Sequence, residues 1–267
     1  MKRPVITLLT DFGLRDHFVG VMKGVILRIC PDAMVVDITH DLPPHAVGEA
    51  AFLLACAYPY FPAGTVHVAV VDPGVGGARR PIAARCDEQL FVAPDNGILT
   101  YAFAEAGRWQ AVEIAKPQYR LSSVSATFHG RDVFAPASAH LASGVPLEAL
   151  GSCVTDPIML YLPTPAETSQ GLEVHIIHVD RFGNLITDLR EERLTEWLSG
   201  QSAESIVMEA GETRIRGVSR SYDAAPEGRL LAIIGSSGRL EIAINRGHAG
   251  NLLRLRSGDT ILLRRNE

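Results

Sequence analysis

The stretch Thr65-Val66-His67-Val68-Ala69-Val70-Val71-Asp72-Pro73-Gly74-Val75-Gly76-Gly77-Ala78-Arg79-Arg80 decides how the chain is read. Its first seven residues are apolar and β-branched enough to predict a buried strand. The strand stops at a carboxylate, a glycine-rich turn follows, and two arginines close it. An acid, a pliable backbone and cations thus meet at a strand end, which is where open α/β sheets bind ligands. The same residues also suit a tight turn with a solvated Asp and two surface Arg. The segment is not a Walker loop, since no Gly-Lys-Ser/Thr follows, and it lacks the third glycine of a dinucleotide fingerprint. Amides of Gly74 to Gly77 are candidates for an anion-accepting nest. Asp72 and Arg79 have the chemistry of a fork-like carboxylate–guanidinium pair.

Outward from this stretch the first ~150 residues alternate between strand and helix patterns. Residues 4–10 read as a strand ending at Thr10-Asp11-Phe12-Gly13, and apolar positions from Phe18 to Ile29 have helical spacing. A second strand, Met34 to Ile38, ends at Thr39-His40-Asp41. Ala46 to Tyr58 reads as an Ala-rich helix, 82–86 with 89–93 as a hairpin, Ile98 to Glu105 as a short helix, and Val133 to Leu141 as another helix. This pattern predicts a largely parallel sheet with helices on both faces. Pro157, Pro163 and Pro165 mark a linker. Beyond it, short strand-like runs predict a small β-rich barrel, with Arg190 to Leu198 as a helix or a loop. The expected organisation is an N-terminal Rossmann-like α/β domain over 1–155, a linker over 156–171, and a C-terminal β-barrel domain over 172–267.

Bulk properties narrow the function classes. The chain has 267 residues, 47% hydrophobic and 21% charged, with net charge -5 and no block of like charge. A general nucleic-acid footprint needs a basic face, so no nucleic-acid partner is expected. No apolar run reaches the length of a membrane span, and the N-terminus lacks a signal-peptide core, so a cytoplasmic protein is expected. Cys30, Cys56, Cys86 and Cys153 are widely spaced and read as buried thiols in a reducing compartment. No His-x-His or His-Glu-x-x-His occurs, so no metal site is expected.

Polar clusters punctuate the strand ends. Asp11 and Asp16 flank a strand-to-helix junction, where one carboxylate can accept from vicinal hydroxyls and the other can hold an ammonium. Asp16 also suits a helix cap. Asp37, with His40 and Asp41, reads as structural, because an acid in a buried strand must be paired. Phe128-His129-Gly130-Arg131-Asp132 places a His at a helix entrance, a ligand-facing position or a satisfied structural one. In the second half, Asp180-Arg181-Phe182-Gly183-Asn184 breaks a strand, and Gly235-Ser236-Ser237-Gly238 leads through Leu240-Glu241-Ile242-Ala243 to Asn245. An Asn amide both donates and accepts, which suits an adenine edge. Two hairpin turns explain the same residues structurally.

Taken in order, these clusters, with Val36-Asp37-Ile38-Thr39-His40 and Pro94-Asp95-Asn96-Gly97, resemble the S-adenosyl-L-methionine hydroxide adenosyltransferase family, which is related to the fluorinase and chlorinase enzymes. The resemblance covers nearly the whole chain. It implies hydrolysis of S-adenosyl-L-methionine (SAM) to adenosine and methionine, with SAM as substrate and no cofactor. It implies an N-terminal α/β domain, a C-terminal β-barrel, and a homotrimer with active sites between subunits. It matches Asp72, Arg79 and His129 to groups that manage the attacking water. Asp11 matches the ribose-binding acid, and Asp16 and Asp180 match groups near the methionine amine. Phe182 and Asn184, with Asn245, match the adenine site. Ser237, next to Ser236, matches a serine at the methionine carboxylate, and Asn96 joins the substrate-binding set. The halogenating relatives carry a Tyr where this chain has Asp72, so the hydrolase is favoured. A SAM-dependent halogenase and a non-catalytic adenosine-binding protein are the rivals.

Overall fold

The computed structural model describes residues 3–265. The backbone divides into two compact units between Leu160 and Tyr161. In chain order the first unit comprises β1 (Val5–Thr10), α1 (Phe18–Ile29), β2 (Met34–Thr39), α2 (Val47–Ala57), β3 (Val66–Val70), β4 (Pro81–Cys86), β5 (Gln89–Pro94), α3 (Thr100–Glu105), β6 (Trp109–Glu113), α4 (Ala135–Ala142) and β7 (Cys153–Val154). They form one seven-stranded sheet in the order β2-β1-β3-β5-β4-β6-β7.

Strands β2, β1, β3 and β5 run parallel. The hairpin β4–β5 then turns the rest of the sheet antiparallel, through β6 and β7. The sheet is therefore mixed rather than largely parallel. Successive residues of β3 face opposite layers, as strand geometry requires. Val66, Val68 and Val70 pack with Met22 and Ile26 of α1 and Phe134 beside α4. Ala69 and Val71 pack with Leu54 of α2 and Phe103 of α3. Both faces are thus covered, and β3 is buried along its length and apolar except at His67 for that reason.

The chain leaves β1 toward β2 on one side and returns to β3 on the other. That reversal is a topological switch point, where open α/β sheets bind ligands past the carboxyl ends of the strands, here β1 and β3. Thr10 is in register with Val70, so Asp11 and Asp72 follow the ends of two adjacent parallel strands.

Residues 156–160 are tied to the first unit. Arg80 Nη1 donates to Asp156 at 2.8 Å, Ile158 N to Asp95 at 2.8 Å, and Leu160 N to Thr100 at 2.9 Å. The second unit contains β8 (Ala166–Thr168), β9 (Gly171–Val179), β10 (Leu185–Arg190), α5 (Glu191–Leu198), β11 (Ile206–Ala210), β12 (Thr213–Arg216), β13 (Leu230–Ile234), β14 (Arg239–Ile244), α6 (Ala249–Leu253) and β15 (Thr260–Arg265). Its antiparallel order is β12-β11-β15-β9-β10-β14-β13, with β8 on β9. Ser219, just after β12, bridges to Ile233 of β13, which nearly closes the sheet into a barrel. Alternate residues Leu172, Val174 and Ile176 of β9 fill its core.

Of the four cysteines, all unpaired, Cys30 and Cys86 are buried, Cys56 is partly buried, and Cys153 is exposed. The expectation of four buried thiols fails at Cys153, because the two-residue strand β7 lies at the sheet edge.

Candidate active site

The glycine-rich turn after β3 folds onto itself. Val75 N donates to Asp72 O at 3.2 Å and Gly77 N to Gly74 O at 3.0 Å. Two amides of the expected anion nest are therefore used within the turn. Gly76 has φ +75, and the Ala126 carbonyl occupies the space a Cβ would need. Only glycine fits there, and its close approach brings the turn against the segment that leads to His129.

The turn returns Arg79 over Asp72. Arg79 Nε donates to Asp72 Oδ1 at 2.9 Å and Oδ2 at 3.0 Å, and Nη2 also binds Oδ2. The two side chains are only 9% and 5% exposed. A pair this buried must be well bonded, since an unpaired charge there is costly. The guanidinium also lies 5.2 Å from the Phe134 ring centroid. Arg79 Nη2 sits 2.7 Å from His129 Nδ1. Asp72, Arg79 and His129 thus form one contiguous set. Arg80 instead holds the frame, donating to Asp95 as well as Asp156.

His129 precedes a π-helical turn, Gly130–Phe134, that opens α4. Such turns recur at functional sites. Phe128 packs on Phe12 and Phe18. Buried Asp132 accepts from Arg131 and from Ser125 N at 2.8 Å. Burial opposes its ionised form, but those hydrogen bonds outweigh it and the carboxyl is held below its ordinary range.

Burial lowers the pKa of His129, and the Arg79 and Arg120 charges push it the same way against Asp72 and Asp132. The imidazole is therefore neutral near pH 7. A guanidinium can only donate, so Nδ1 accepts from Arg79 and the ring proton sits on Nε2. Both Asp72 oxygens face Arg79. Neither group is arranged as a simple proton acceptor; the set presents a donor, His129 Nε2–H, beside a neutralised ion pair. Such a donor holds an oxygen by its lone pair.

Asp11 lies past β1, and its Oδ2 accepts from His45 N at 2.9 Å. Asp16 is exposed, and α1 begins later, at Phe18, with His17 at its N-cap and no side-chain cap. Asp16 is therefore not the helix cap that the sequence suggests. Asp37, expected to be paired, accepts from Lys23 Nζ at 2.6 Å and lies 3.1 Å from His40 Nε2. Asn96 Nδ2 donates to Val71 O at 2.8 Å, and its Oδ1 accepts from Ile98 N at 3.2 Å. Both ends of that amide are taken by backbone, so Asn96 fixes the last turn before Asp72.

In the second unit Asp180 organises its own loop. Its Oδ1 accepts from Phe182 N and Asn184 N at 2.9 and 2.8 Å, and its Oδ2 from Asn184 Nδ2 at 2.9 Å. This leaves Phe182 75% exposed beside a buried Asn184. Ser237 Oγ is buried without a hydrogen-bond partner, whereas Ser236 is exposed. Asn245 Nδ2 donates to Ala225 O at 2.7 Å, so that donor anchors a loop. Leu185 pairs with Ile242 and Arg190 with Arg239. Asn184 and Asn245 therefore lie at one end of the β10–β14 pair and Ser237 at the other.

Sequence reasoning gave no role to Glu241. It is 5% exposed on β14, bonded to Tyr222 Oη at 3.2 Å. Burial first, then the Asp180 charge, raises its pKa despite that hydrogen bond. The available signal was an acid between Leu240 and Ile242 in an apolar run. Among the described residues no group of three or more His, Cys, Asp or Glu could hold a metal ion.

Known proteins resemble the chain along nearly its whole length. Residues 6–151 match the SAM hydroxide adenosyltransferase N-terminal domain, and residues 174–262 match its C-terminal domain. The chain is 42% identical over 262 residues to a protein of Salinispora arenicola named (R)-S-adenosyl-L-methionine hydrolase, covering 97% of each. It is 41% identical to a protein of the same name from Thermus thermophilus, covering 98% of this chain and 99% of that one. A fluorinase of an Actinoplanes species is 28% identical, over 97% of this chain and 96% of the other. A crystal structure of an uncharacterized conserved protein from Thermotoga maritima superposes with a TM-score of 0.91 at 38% identity, covering 97% of this chain and all of that one. With both family domains matched in order along nearly its whole length, the chain belongs to the SAM hydroxide adenosyltransferase family.

Proposed function

We propose that the protein hydrolyses S-adenosyl-L-methionine to adenosine and L-methionine by attack of water or hydroxide at ribose C5′. The observation that carries this reading is the buried Asp72–Arg79 pair joined to a half-buried His129 at the switch point of the sheet. A C5′–O bond forms, the C5′–S bond breaks, and its electron pair returns to the methionine sulfur. The water proton that remains leaves to solvent. A neutral thioether needs no general acid, so the demand falls on placing the nucleophile in line behind C5′. His129 Nε2–H holds the oxygen, and Arg79 favours its hydroxide-like form. Asp72 orients Arg79, which in turn keeps the His129 tautomer. No cofactor enters the reaction.

Asp11 takes the ribose hydroxyls, and Asp16 and Asp180 take the substrate ammonium. Phe182 and Asn184 hold the adenine, and the unpartnered Ser237 Oγ takes the carboxylate. Asn96 and Asn245 act through the backbone they anchor. A homotrimer, with a solution mass near three times 28.8 kDa, and a cytoplasmic setting suited to four free thiols belong to the same proposal. No helix among the described residues is long and apolar enough to cross a membrane.

Incubation with SAM, with and without chloride, followed by chromatography of the nucleosides, tests the reaction. Adenosine in both samples is expected. Formation of 5′-chloro-5′-deoxyadenosine would favour a halogenase, and intact substrate would favour a binding protein.

A further inference from the structure

His40 is 4% exposed and lies between the ends of β1 and β2. It grips the turn that carries Asp11 in two ways. Its carbonyl accepts from Gly13 N at 2.8 Å, and its Nδ1 lies 2.8 Å from Oγ1 of the fully buried Thr10. Thr10 Oγ1 in turn accepts from Phe12 N at 3.2 Å. On the other side Nε2 faces Asp37, whose second oxygen takes Lys23. In the tautomer with the proton on Nε2, toward the Asp37 carboxylate, Nδ1 accepts the Thr10 hydroxyl. Every link then donates in one direction, from Phe12 N–H through Thr10 to His40. Thr10 and His40 are both buried, so the bonds through the Thr10 hydroxyl hold this turn in place, and Asp11 lies between the two residues they pin, Thr10 and Phe12.

We propose that His40 is a positioning residue for nucleoside binding, fixing the Thr10–Gly13 turn so that the Asp11 carboxylate meets the two ribose hydroxyls. This rests on the reading of Asp11 as the ribose-binding acid. It separates His40 from a merely structural residue, because the loss should fall on recognition of the hydroxyls rather than on the nucleoside as a whole.

The test is calorimetric titration of the full-length protein with adenosine and with 2′,3′-dideoxyadenosine. Each variant is first matched to wild type by circular dichroism and melting. Wild type should prefer adenosine, and Asp11→Ala should abolish the preference. His40→Gln and Thr10→Val should weaken adenosine about tenfold, the scale of one hydrogen bond, and leave the dideoxy compound unchanged. Thr10→Ser, which keeps the hydroxyl, and His40→Asn, which keeps an acceptor at the δ position, should retain the preference. If His40→Gln fails to fold, the Thr10→Val and Thr10→Ser pair decides alone. Full preference in Thr10→Val and His40→Gln, with loss in Asp11→Ala, would overturn the role of His40 alone. Full preference in Asp11→Ala would overturn the ribose assignment, and the role of His40 with it.

Discussion

Asp72 and His129 meet through a single guanidinium, so each should matter to turnover more than to binding. Asp72→Asn removes one charge of the pair and leaves Arg79 unneutralised beside His129; His129→Ala removes the donor to the nucleophile. Each should lower kcat about 100-fold, the usual scale for a positioned proton-handling group, with KM within a few-fold. Steady-state adenosine release checks this. The pH profile carries a sign. His129 titrates below its ordinary 6.5 because it is buried near two guanidinium groups. Protonation would place a hydrogen on Nδ1, against the Arg79 donor, so turnover should fall on the acid side of pH 6.5. That limb should vanish in His129→Asn. The Asp72–Arg79 pair was open to a sequence reader because an acid at a strand end and an arginine after a tight turn are local patterns. Asn96 was not, since an amide that holds a backbone and one that holds a ligand have the same residue code. Only the 2.8 Å bond to Val71 O distinguishes them.

The elements around the crevice depend on close approach. Gly76→Ala would force the turn off the Ala126 carbonyl and strain a positive φ, a combined cost of about 1–3 kcal/mol. Because the same contact aligns Arg79 with His129, activity should fall further than stability, as melting and turnover on one preparation would reveal. Strand β3 carries another test. His67 is fully buried, 2.8 Å from Thr7 Oγ1, and burial pushes its pKa down to about 4. The unfolded chain takes up this proton near 6.5, so the stabilisation is complete above that pH. It is lost as pH falls through about 4, by up to about 3 kcal/mol at 1.36 kcal/mol per unit. Urea midpoints at pH 7.5 and 5 should therefore converge in a Thr7→Val/His67→Phe double variant and diverge in wild type. Parallel shifts would exclude His67 as the source. The hairpin β4–β5 was legible because both strands and their turn are contiguous. Strands β6 and β7 were not: Trp109–Glu113 buries only Ala111 and Val112, Cys153–Val154 is two residues long, and distant partners fix both. Helix α6 begins at the His248 ring, which accepts from Asn251 N, a cap that residue preferences do not flag.

At the scale of the molecule, separate hydrophobic cores in the two units explain why the chain reads as two composition patterns. One core layer fills each face of the first sheet, and another fills the barrel. Residues 161–267 expressed alone should give a β-rich circular dichroism spectrum and a cooperative melt; an unfolded product would show that this core needs the rest of the chain. The barrel was legible from strand count and alternation, but its near-closure through Ser219 and Ile233 was not, because that bridge depends on curvature built up over the whole sheet. The proposed chemistry makes one demand on the whole protein, that the new bond at C5′ be made by solvent oxygen. Turnover of SAM in ¹⁸O-labelled water containing chloride measures this directly by mass spectrometry of the nucleoside. Water attack predicts adenosine carrying one ¹⁸O at its 5′ position; unlabelled adenosine, or 5′-chloro-5′-deoxyadenosine in its place, would contradict it.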